Sequence, residues 1–287
     1  SPCQKFTNIP YTIPKEKYGM PEDWTPKNSD NKYGGELTLK KALANSVNVI
    51  TAQLIDMVNP KNVVTLAKSA GIESDIPEVP AIALGSVDLS LYEMVGAYAT
   101  FANKGLRIEP MMLLKIEDKN GTVLEQFIPN SKEVLSEESA YVITNLLEGV
   151  TEGGSGIRLR GKWGSYPDNV VTGYPYAFEN PIAGKTGTTQ NQSDGWFMGI
   201  VPNLATGVWV GGEDRATHFA SITYGQGATM ALPIWALYYK KMYADKTLNV
   251  SKAAFDRPEN LSINIDCSKE SLENDTLLNS ADKKPEF

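Results

Sequence analysis

The stretch AGKTGTTQNQSDGWFMGI, residues 183–200, sets a single lysine among glycines and threonines, then gives a polar turn and an apolar run. Extended segments on both sides of a turn are typical of two antiparallel strands. Strands disfavour glycine because it has no side chain to pack, so Gly184 and Gly187 beside Lys185 predict that another molecule approaches this backbone closely. This strand is therefore the candidate site.

The rest of the chain predicts an α+β domain in which helices flank an antiparallel sheet. GVWVGG follows as the third strand of a meander, and MMLLKIEDKNGTVLEQFI has the alternation and the Asn-Gly turn of a hairpin. Apolar spacing and capping residues predict one or two helices in residues 38–58, and further helices in residues 59–71, 90–103 and 136–150 and from near Pro233 onward. Residues 1–37 and 151–182 lack periodicity, so we expect loops there.

The composition excludes several classes of function. The 287 residues carry 34 acidic and 27 basic side chains, a net charge of −7, so we expect no nucleic-acid partner. Cys3 and Cys267 lie at opposite ends of the chain, which predicts neither a disulfide framework nor a C-x-x-C site. His218 is the only histidine and cannot build a zinc site alone. We expect no cofactor and, without an apolar run of ~18 residues, no membrane span.

A phosphate-binding loop is the first alternative, because Gly184, Lys185 and Thr186 match the second half of G-x-x-x-x-G-K-[ST]. The first glycine of that motif would fall at Glu179, and strand and turn follow where a helix must begin. The glycine-rich stretch EGGSGIRLRG, residues 152–161, lacks the dinucleotide-binding spacing and is interpreted as a mobile loop. Nucleotide binding is not expected.

Acyl transfer fits the strand better. K-T-G combined with an S-x-N tripeptide is typical of penicillin-binding proteins and serine β-lactamases. Here the tripeptide is Ser46-Val47-Asn48, although Ser262-Ile263-Asn264 matches the pattern as well. Ser46 can pass a proton and Asn48 can hold a substrate amide, which are two roles that acyl transfer requires.

The K-T-G strand offers the remaining roles. Lys185 supplies positive charge, and the hydroxyls of Thr186 and Thr188 can donate to a substrate carboxylate. Gly187 leaves room for an approaching peptide, and the N–H of Thr188 can point at a developing oxyanion. The catalytic candidates are therefore Ser46, Asn48 and Lys185, and the binding candidates lie at 186–188.

Four segments resemble the transpeptidase domain of class A (bifunctional) penicillin-binding proteins, with the likeness running over residues 1–245. They are WTPKNSDNKYGGELTLKKALANSVNV, AIALGSVDLSLYEMVGAYATFANKG, IAGKTGTTQNQSDGWFMGIVPNLATGVWVGG and GQGATMALPIW. The resemblance implies the fold shared with serine β-lactamases, and a D,D-transpeptidase that cross-links peptidoglycan stem peptides and is acylated by β-lactam antibiotics. It also implies a cell-envelope location at the periplasmic face of the inner membrane, with a membrane anchor and a glycosyltransferase domain that precede these residues in the parent protein.

The nucleophile motif is where the sequence departs from the resemblance. The family uses the serine of an S-x-x-K on a helix, where the lysine lies one turn later on the same face. The matches here begin at Ser29, in a turn-rich segment, and at Ser280, beyond the K-T-G strand, and neither fits. The nucleophile is expected upstream of Ser1, so these residues are expected to be part of a longer protein and not to acylate alone.

The resemblance also sets the expected domain boundaries. We divide the chain into a transpeptidase domain, residues 1–245, and an acidic, weakly ordered tail, residues 246–287, with few aromatic residues. Two alternatives stay open. A serine β-lactamase would have the same fold and would need a base for deacylation. A non-catalytic module would keep the carboxylate anchor and bind cell-wall peptides or a partner protein.

Overall fold

The computed structural model describes residues 1–163 and 171–267. In these residues the strands are β1 Lys5–Thr7, β2 Glu36–Thr38, β3 Leu106–Ile108, β4 Lys115–Glu117, β5 Val123–Gln126, β6 Ser131–Glu133, β7 Ala183–Thr188, β8 Asp194–Val201 and β9 Leu204–Gly211. The helices are α1 Lys15–Tyr18, α2 Leu39–Ala44, α3 Asn48–Val58, α4 Pro60–Ser69, α5 Leu91–Ala102, α6 Glu137–Gly153, α7 Ile222–Gly225 and α8 Gly227–Ala244. The predicted α+β class is confirmed, and β1 and α1 show that residues 1–37 are not loop throughout.

Local capping signals begin two of the helices, α4 and α5, where the sequence predicts. Asn59 accepts the N–H of Lys61 at 3.0 Å, and Pro60 is the first residue of α4. Ser90 and Glu93 form the reciprocal capping box at the start of α5. These signals involve residues within three positions of each other, so the sequence alone is sufficient to predict them.

The sheet that carries Lys185 is a three-stranded antiparallel meander in the order β7-β8-β9. Phe197 on β8 packs on one face against Trp235 of α8, with ring centroids 5.3 Å apart. Ile200, also on β8, packs on the other face in a cluster with Leu147 of α6. Helices therefore cover both faces, and β7 has an edge that β8 does not occupy.

The last helix begins six residues before the predicted start at Pro233. Proline was expected at the first helical position, but it lies inside α8, where its missing N–H removes one hydrogen bond. Buried side chains on both sides of it, among them Leu232 and Trp235, offset that loss by packing on the sheet. A side chain at Gly227 would collide with the carbonyl oxygen of Gly187, so α8 begins directly against β7.

Residues 249–267, which we call the C-terminal strap, lie against the domain. Phe255 packs beside the Leu147 cluster, and Glu138 accepts hydrogen bonds from the backbone N–H groups of Ser262 and Ile263 at 2.5 and 2.9 Å. The strap ends in a disulfide between Cys267 and Cys3, with Cα atoms 4.9 Å apart. This corrects the expectation that the cysteines form no disulfide. The rest of the predicted tail, residues 268–287, lies outside the described residues.

The described residues meet neither the requirements of a membrane-spanning helix nor those of a three-ligand metal site. None of the helices in the described ranges has the length and apolar character needed to cross a bilayer. The same ranges contain no group of three His, Cys, Asp or Glu side chains that could hold a metal ion. His218 is exposed on a loop, and its Nδ1 lies 3.0 Å from the backbone oxygen of Phe219.

Candidate active site

Ser46 and Lys185, far apart in the sequence, meet in the structure. Ser46 lies in the turn between α2 and α3 with a φ of 54°, a left-handed conformation that few non-glycine residues adopt. Lys185 Nζ donates to Ser46 Oγ at 2.5 Å and to the backbone oxygen of Thr186 at 2.9 Å. The predicted pair is therefore in direct hydrogen-bond contact.

The charge of Lys185 is destabilised by its surroundings. Burial lowers the pKa of Lys185 to about 8, because the ammonium loses hydration. In the described residues no carboxylate lies within ion-pair distance of its Nζ. A desolvated lysine without a counter-ion both attracts an anion and exchanges its proton near neutral pH.

In the described parts of the chain, no strand pairs with the outer edge of β7, so this edge presents backbone donors. The N–H of Thr189 donates to the oxygen of Asp194 on β8, and backbone groups alternate in direction along an antiparallel strand. The N–H and C=O groups of Thr186 and Thr188 therefore point away from β8. Lys185 Nζ bonding to the Thr186 oxygen agrees with this direction. The Thr188 N–H lies on the open edge, as an oxyanion donor requires.

The side chain of Thr188 also forms a hydrogen bond with the first residue of α8. Its Oγ1 accepts the N–H of Gly227, the first residue of α8, at 3.0 Å. The adjacent Ala228 oxygen accepts from Nη1 of Arg158 at 3.3 Å. Arg158 is buried, its guanidinium lies 4.7 Å from the ring of Trp163, and its Nε has no partner in the described residues. A buried positive charge therefore lies behind the first turn of α8.

Ser155 is a site residue that the sequence did not identify. Its Oγ lies 2.6 Å from Oγ1 of Thr186, and its N–H donates to the oxygen of Ala44 at 2.9 Å. A side chain at Gly154 would collide with that same Ala44 oxygen. The predicted mobile loop at residues 152–161 is thus wrong in this part, because α6 ends at Gly153 and a 3₁₀ turn follows at Ile157–Arg160.

Four residues thus form one hydrogen-bonded group, which we call the Lys185 cluster, in which Lys185 reaches Thr186 through the backbone oxygen: Ser46, Ser155, Lys185 and Thr186. They come from the α2–α3 turn, the end of α6 and the edge strand β7. A glycine-serine-glycine run after a helix is the signal that could have identified Ser155, but the same run is common in ordinary loops.

The glycines of β7 have neighbours within the protein. A Cβ on Gly184 would lie 2.9 Å from the ring of Phe197, and a Cβ on Gly187 would lie 3.0 Å from Cβ of Trp196. Packing inside the sheet therefore accounts for both glycines, and the closeness of another molecule is not needed to explain them. The interpretation of Gly187 as space for a peptide stays a prediction.

Asn48 lies near the cluster, with its amide already engaged. It is the first residue of α3, and its Nδ2 donates to the oxygen of Lys27 at 2.7 Å. Asn28, which is buried, accepts the N–H of Val49 at 3.2 Å and so fixes the start of α3. Ser29 follows in a turn outside any helix, as predicted. The role of Asn48 in holding a substrate amide stays a prediction.

Ser262, of the second S-x-N tripeptide, lies near the start of α6, at the end opposite to Ser155. Ser262 bonds to Glu138 near the start of that helix, whereas Ser155 follows its end. A helix rises about 1.5 Å per residue, so α6 separates the two positions by roughly 24 Å. Ser280, the other serine considered as a nucleophile, lies outside the described residues.

A known protein family matches most of this chain. The family described as penicillin binding protein transpeptidase domain matches residues 1–220. This chain belongs to that family. The resemblance predicted from four sequence segments is confirmed.

Relatives of this transpeptidase domain are found among the penicillin-binding proteins 1A. That of Aquifex aeolicus is 35% identical over 247 residues, which make up 85% of this chain and 30% of the relative. That of Clostridium novyi is 32% identical over 201 residues, or 68% of this chain and 22% of the relative. The chain spans less than a third of the length of these two relatives.

Solved structures show the same fold. Penicillin-binding protein 1A from Haemophilus influenzae has a TM-score of 0.75 at 24% identity, covering 90% of this chain and 41% of that one. PonA1 from Mycobacterium tuberculosis, solved with penicillin V, has a TM-score of 0.69 at 23% identity, covering 89% of this chain and 66% of that one. The transpeptidase domain described above therefore has the predicted penicillin-binding fold.

Proposed function

We propose that this domain is part of a peptidoglycan D,D-transpeptidase that cross-links stem peptides by acyl transfer and is acylated by β-lactam antibiotics. The contact between Lys185 Nζ and Ser46 Oγ is the observation that carries the proposal. It joins a proton-exchanging lysine to a hydroxyl at the edge of a strand whose outer backbone donors point away from β8.

The proposed reaction uses the site in two steps. A serine of an S-x-x-K segment outside these residues attacks the carbonyl carbon of the penultimate D-Ala, and the N–H of Thr188 donates to the oxyanion. Ser46 and Lys185 pass the serine's proton to the departing nitrogen, so the terminal D-Ala leaves as a free amino acid. The amine of a second stem peptide then attacks the acyl carbon, restores the serine and loses a proton through the same pair.

The terminal carboxylate of the donor peptide is held beside these groups. Thr186 and Thr188 lie on the same face of β7, since side chains alternate along a strand. Their hydroxyls donate to the carboxylate, and the charge of Lys185 adds attraction. Asn48 holds an amide of the peptide, and Gly187 leaves room for the peptide along the strand.

We also propose a location at the periplasmic face of the inner membrane, in a protein with a membrane anchor and a glycosyltransferase domain. The names and greater lengths of the relatives support the longer protein. The Cys3–Cys267 disulfide supports an oxidising compartment, because cytosolic thiols are kept reduced.

The test is intact-mass spectrometry of the full-length protein with benzylpenicillin. We expect one stable adduct, strongly slowed by Ser46→Ala and unchanged by Ser262→Ala, its matched control in the second S-x-N tripeptide. Rapid release of hydrolysed penicillin would indicate a β-lactamase instead. No adduct with an intact S-x-x-K segment would indicate a non-catalytic binding module.

A further inference from the structure

In each of the two threonines of β7, the side-chain oxygen has a hydrogen-bond partner within the protein. Thr188 Oγ1 accepts the N–H of Gly227, and Thr186 Oγ1 lies 2.6 Å from Ser155 Oγ. An N–H only donates, so the proton of the Thr188 hydroxyl remains available to another acceptor. Thr186 has that freedom only when Ser155 donates to it, because each hydroxyl carries a single proton.

Ser155 is held in place by the fold and not by a ligand. Its N–H donates to the oxygen of Ala44 at 2.9 Å, two residues before Ser46, and Gly154 permits this close approach. One end of Ser155 is therefore fixed to the segment that carries Ser46, and its hydroxyl is directed at Thr186. The serine links the two halves of the Lys185 cluster before any substrate arrives.

We propose that Ser155 is a positioning residue that holds the Thr186 hydroxyl in the orientation that donates to the substrate carboxylate, and so determines specificity for acyl donors with a free carboxylate. The inference rests on the proposed function. An ionised carboxylate only accepts hydrogen bonds, so Thr186 must donate to it and must accept from Ser155. In such a chain each hydrogen bond strengthens the next.

The prediction distinguishes two forms of one ligand. Benzylpenicillin carries the carboxylate that Thr186 would bind, and benzylpenicillin methyl ester carries the same β-lactam ring without that charge. In the full-length protein, Ser155→Ala should lower the second-order acylation constant for benzylpenicillin by about tenfold, since the Thr186 hydroxyl is no longer oriented and polarised and its hydrogen bond to the ionised carboxylate is weakened. The constant for the ester should change by less than about twofold.

Two variants serve as controls. Ser155→Thr keeps the hydroxyl and should restore most of the preference for the carboxylate. Ser139→Ala removes a hydroxyl at the opposite end of α6, where it pairs with Ser136 at 2.9 Å, and should leave both constants unchanged. Because the ratio of the two constants is measured within one sample, a reduced fraction of folded protein does not change it.

The outcomes separate this inference from the proposed function. A wild-type protein that prefers the carboxylate while Ser155→Ala keeps the full preference, or loses both constants equally, overturns the role of Ser155 alone. A wild-type protein that shows no preference, or that neither ligand acylates, overturns the carboxylate anchor and the role of Ser155 together. Loss of the preference in Ser155→Ala with recovery in Ser155→Thr supports it.

Discussion

Two polar clusters of this domain each contain one charged side chain, and the two charges are stabilised to opposite degrees. In the first, which we call the Glu93 cluster, the carboxylate of Glu93 accepts hydrogen bonds from Glu73, Ser74 and Ser90 at 2.7–3.0 Å. The Ser74 N–H, with the hydroxyl and N–H of Ser90, lowers the pKa of Glu93 to about 2. The protein stabilises this charge with its own donors, and the cluster fixes the start of α5.

The Lys185 cluster, in contrast, leaves the charge of its lysine destabilised. Its ammonium has three donors but bonds only to Ser46 Oγ and the Thr186 oxygen in the described part of the chain, and burial lowers its pKa to about 8. The comparison indicates that a charge satisfied by the protein serves the fold. A charge that burial destabilises is available to a ligand. Three predictions test this difference.

Removal of the Lys185 charge should have the largest effect. Lys185→Ala should lower the second-order acylation constant for benzylpenicillin by about 10²–10³-fold, the usual loss when an electrostatic group of an acyl-transfer site is removed. The melting temperature should stay the same or rise, because burial of the ammonium costs stability. Stopped-flow acylation and thermal unfolding of the full-length protein measure the two effects.

The matched control is Lys240→Ala, which removes an exposed lysine that donates to the Pro175 oxygen at 2.8 Å. It should leave acylation unchanged. If Lys185→Ala acylates at the wild-type rate, the charge of Lys185 does not serve ligand binding, and the contrast with Glu93 is wrong.

Loss of the Glu93 charge should give the opposite result. Glu93→Gln should destabilise the domain by about 2–3 kcal/mol, because its charged hydrogen bonds are weakened and a new NH₂ group faces existing donors. Acylation per folded molecule should be unchanged. The urea midpoint of the domain's transition measures the first effect, with Glu109→Gln as an exposed control that bonds to Asn130. A stable but inactive Glu93→Gln would show that this cluster also serves the site.

The smallest effect should appear in the pH profile. With a pKa of about 8, Lys185 is charged below pH 8 and neutral above it. Attraction of the carboxylate is therefore lost as the pH rises through 8, and acylation by benzylpenicillin should fall roughly three- to tenfold. The methyl ester should show no such fall. An acylation constant that instead rises above pH 8 for both ligands would assign Lys185 the role of a neutral base.

The sequence predicts those parts of the fold that depend on near neighbours. The capping box at Ser90 and the strand alternation around Lys185 are such features. The contacts that were missed join distant segments: Ser155 with Thr186, and Cys3 with Cys267. Each of these residues is ordinary in its local context, and only the packing of α6 and of the strap brings the partners together.

The start of α8 shows the same limit. Proline has a strong local preference for the first helical turn, and the prediction followed it. The helix instead begins where Gly227 can lie against β7, so a tertiary contact overrides the local signal. The residues of the K-T-G and S-x-N motifs were predicted, because the motifs identify side chains with a chemical role. The residues that position them, such as Ser155 and Gly227, belong to neither motif and were missed.

The disulfide has a mechanical consequence. It joins residues 264 positions apart, so nearly all of the described chain lies within one covalent ring. A pulling force applied outside Cys3 and Cys267 passes through the sulfur atoms and leaves the sheet and helices unloaded. Without the bond, the same pull could extend the enclosed chain to about 900 Å at ~3.4 Å per residue. The bond therefore shields the Lys185 cluster from tension carried along the polypeptide.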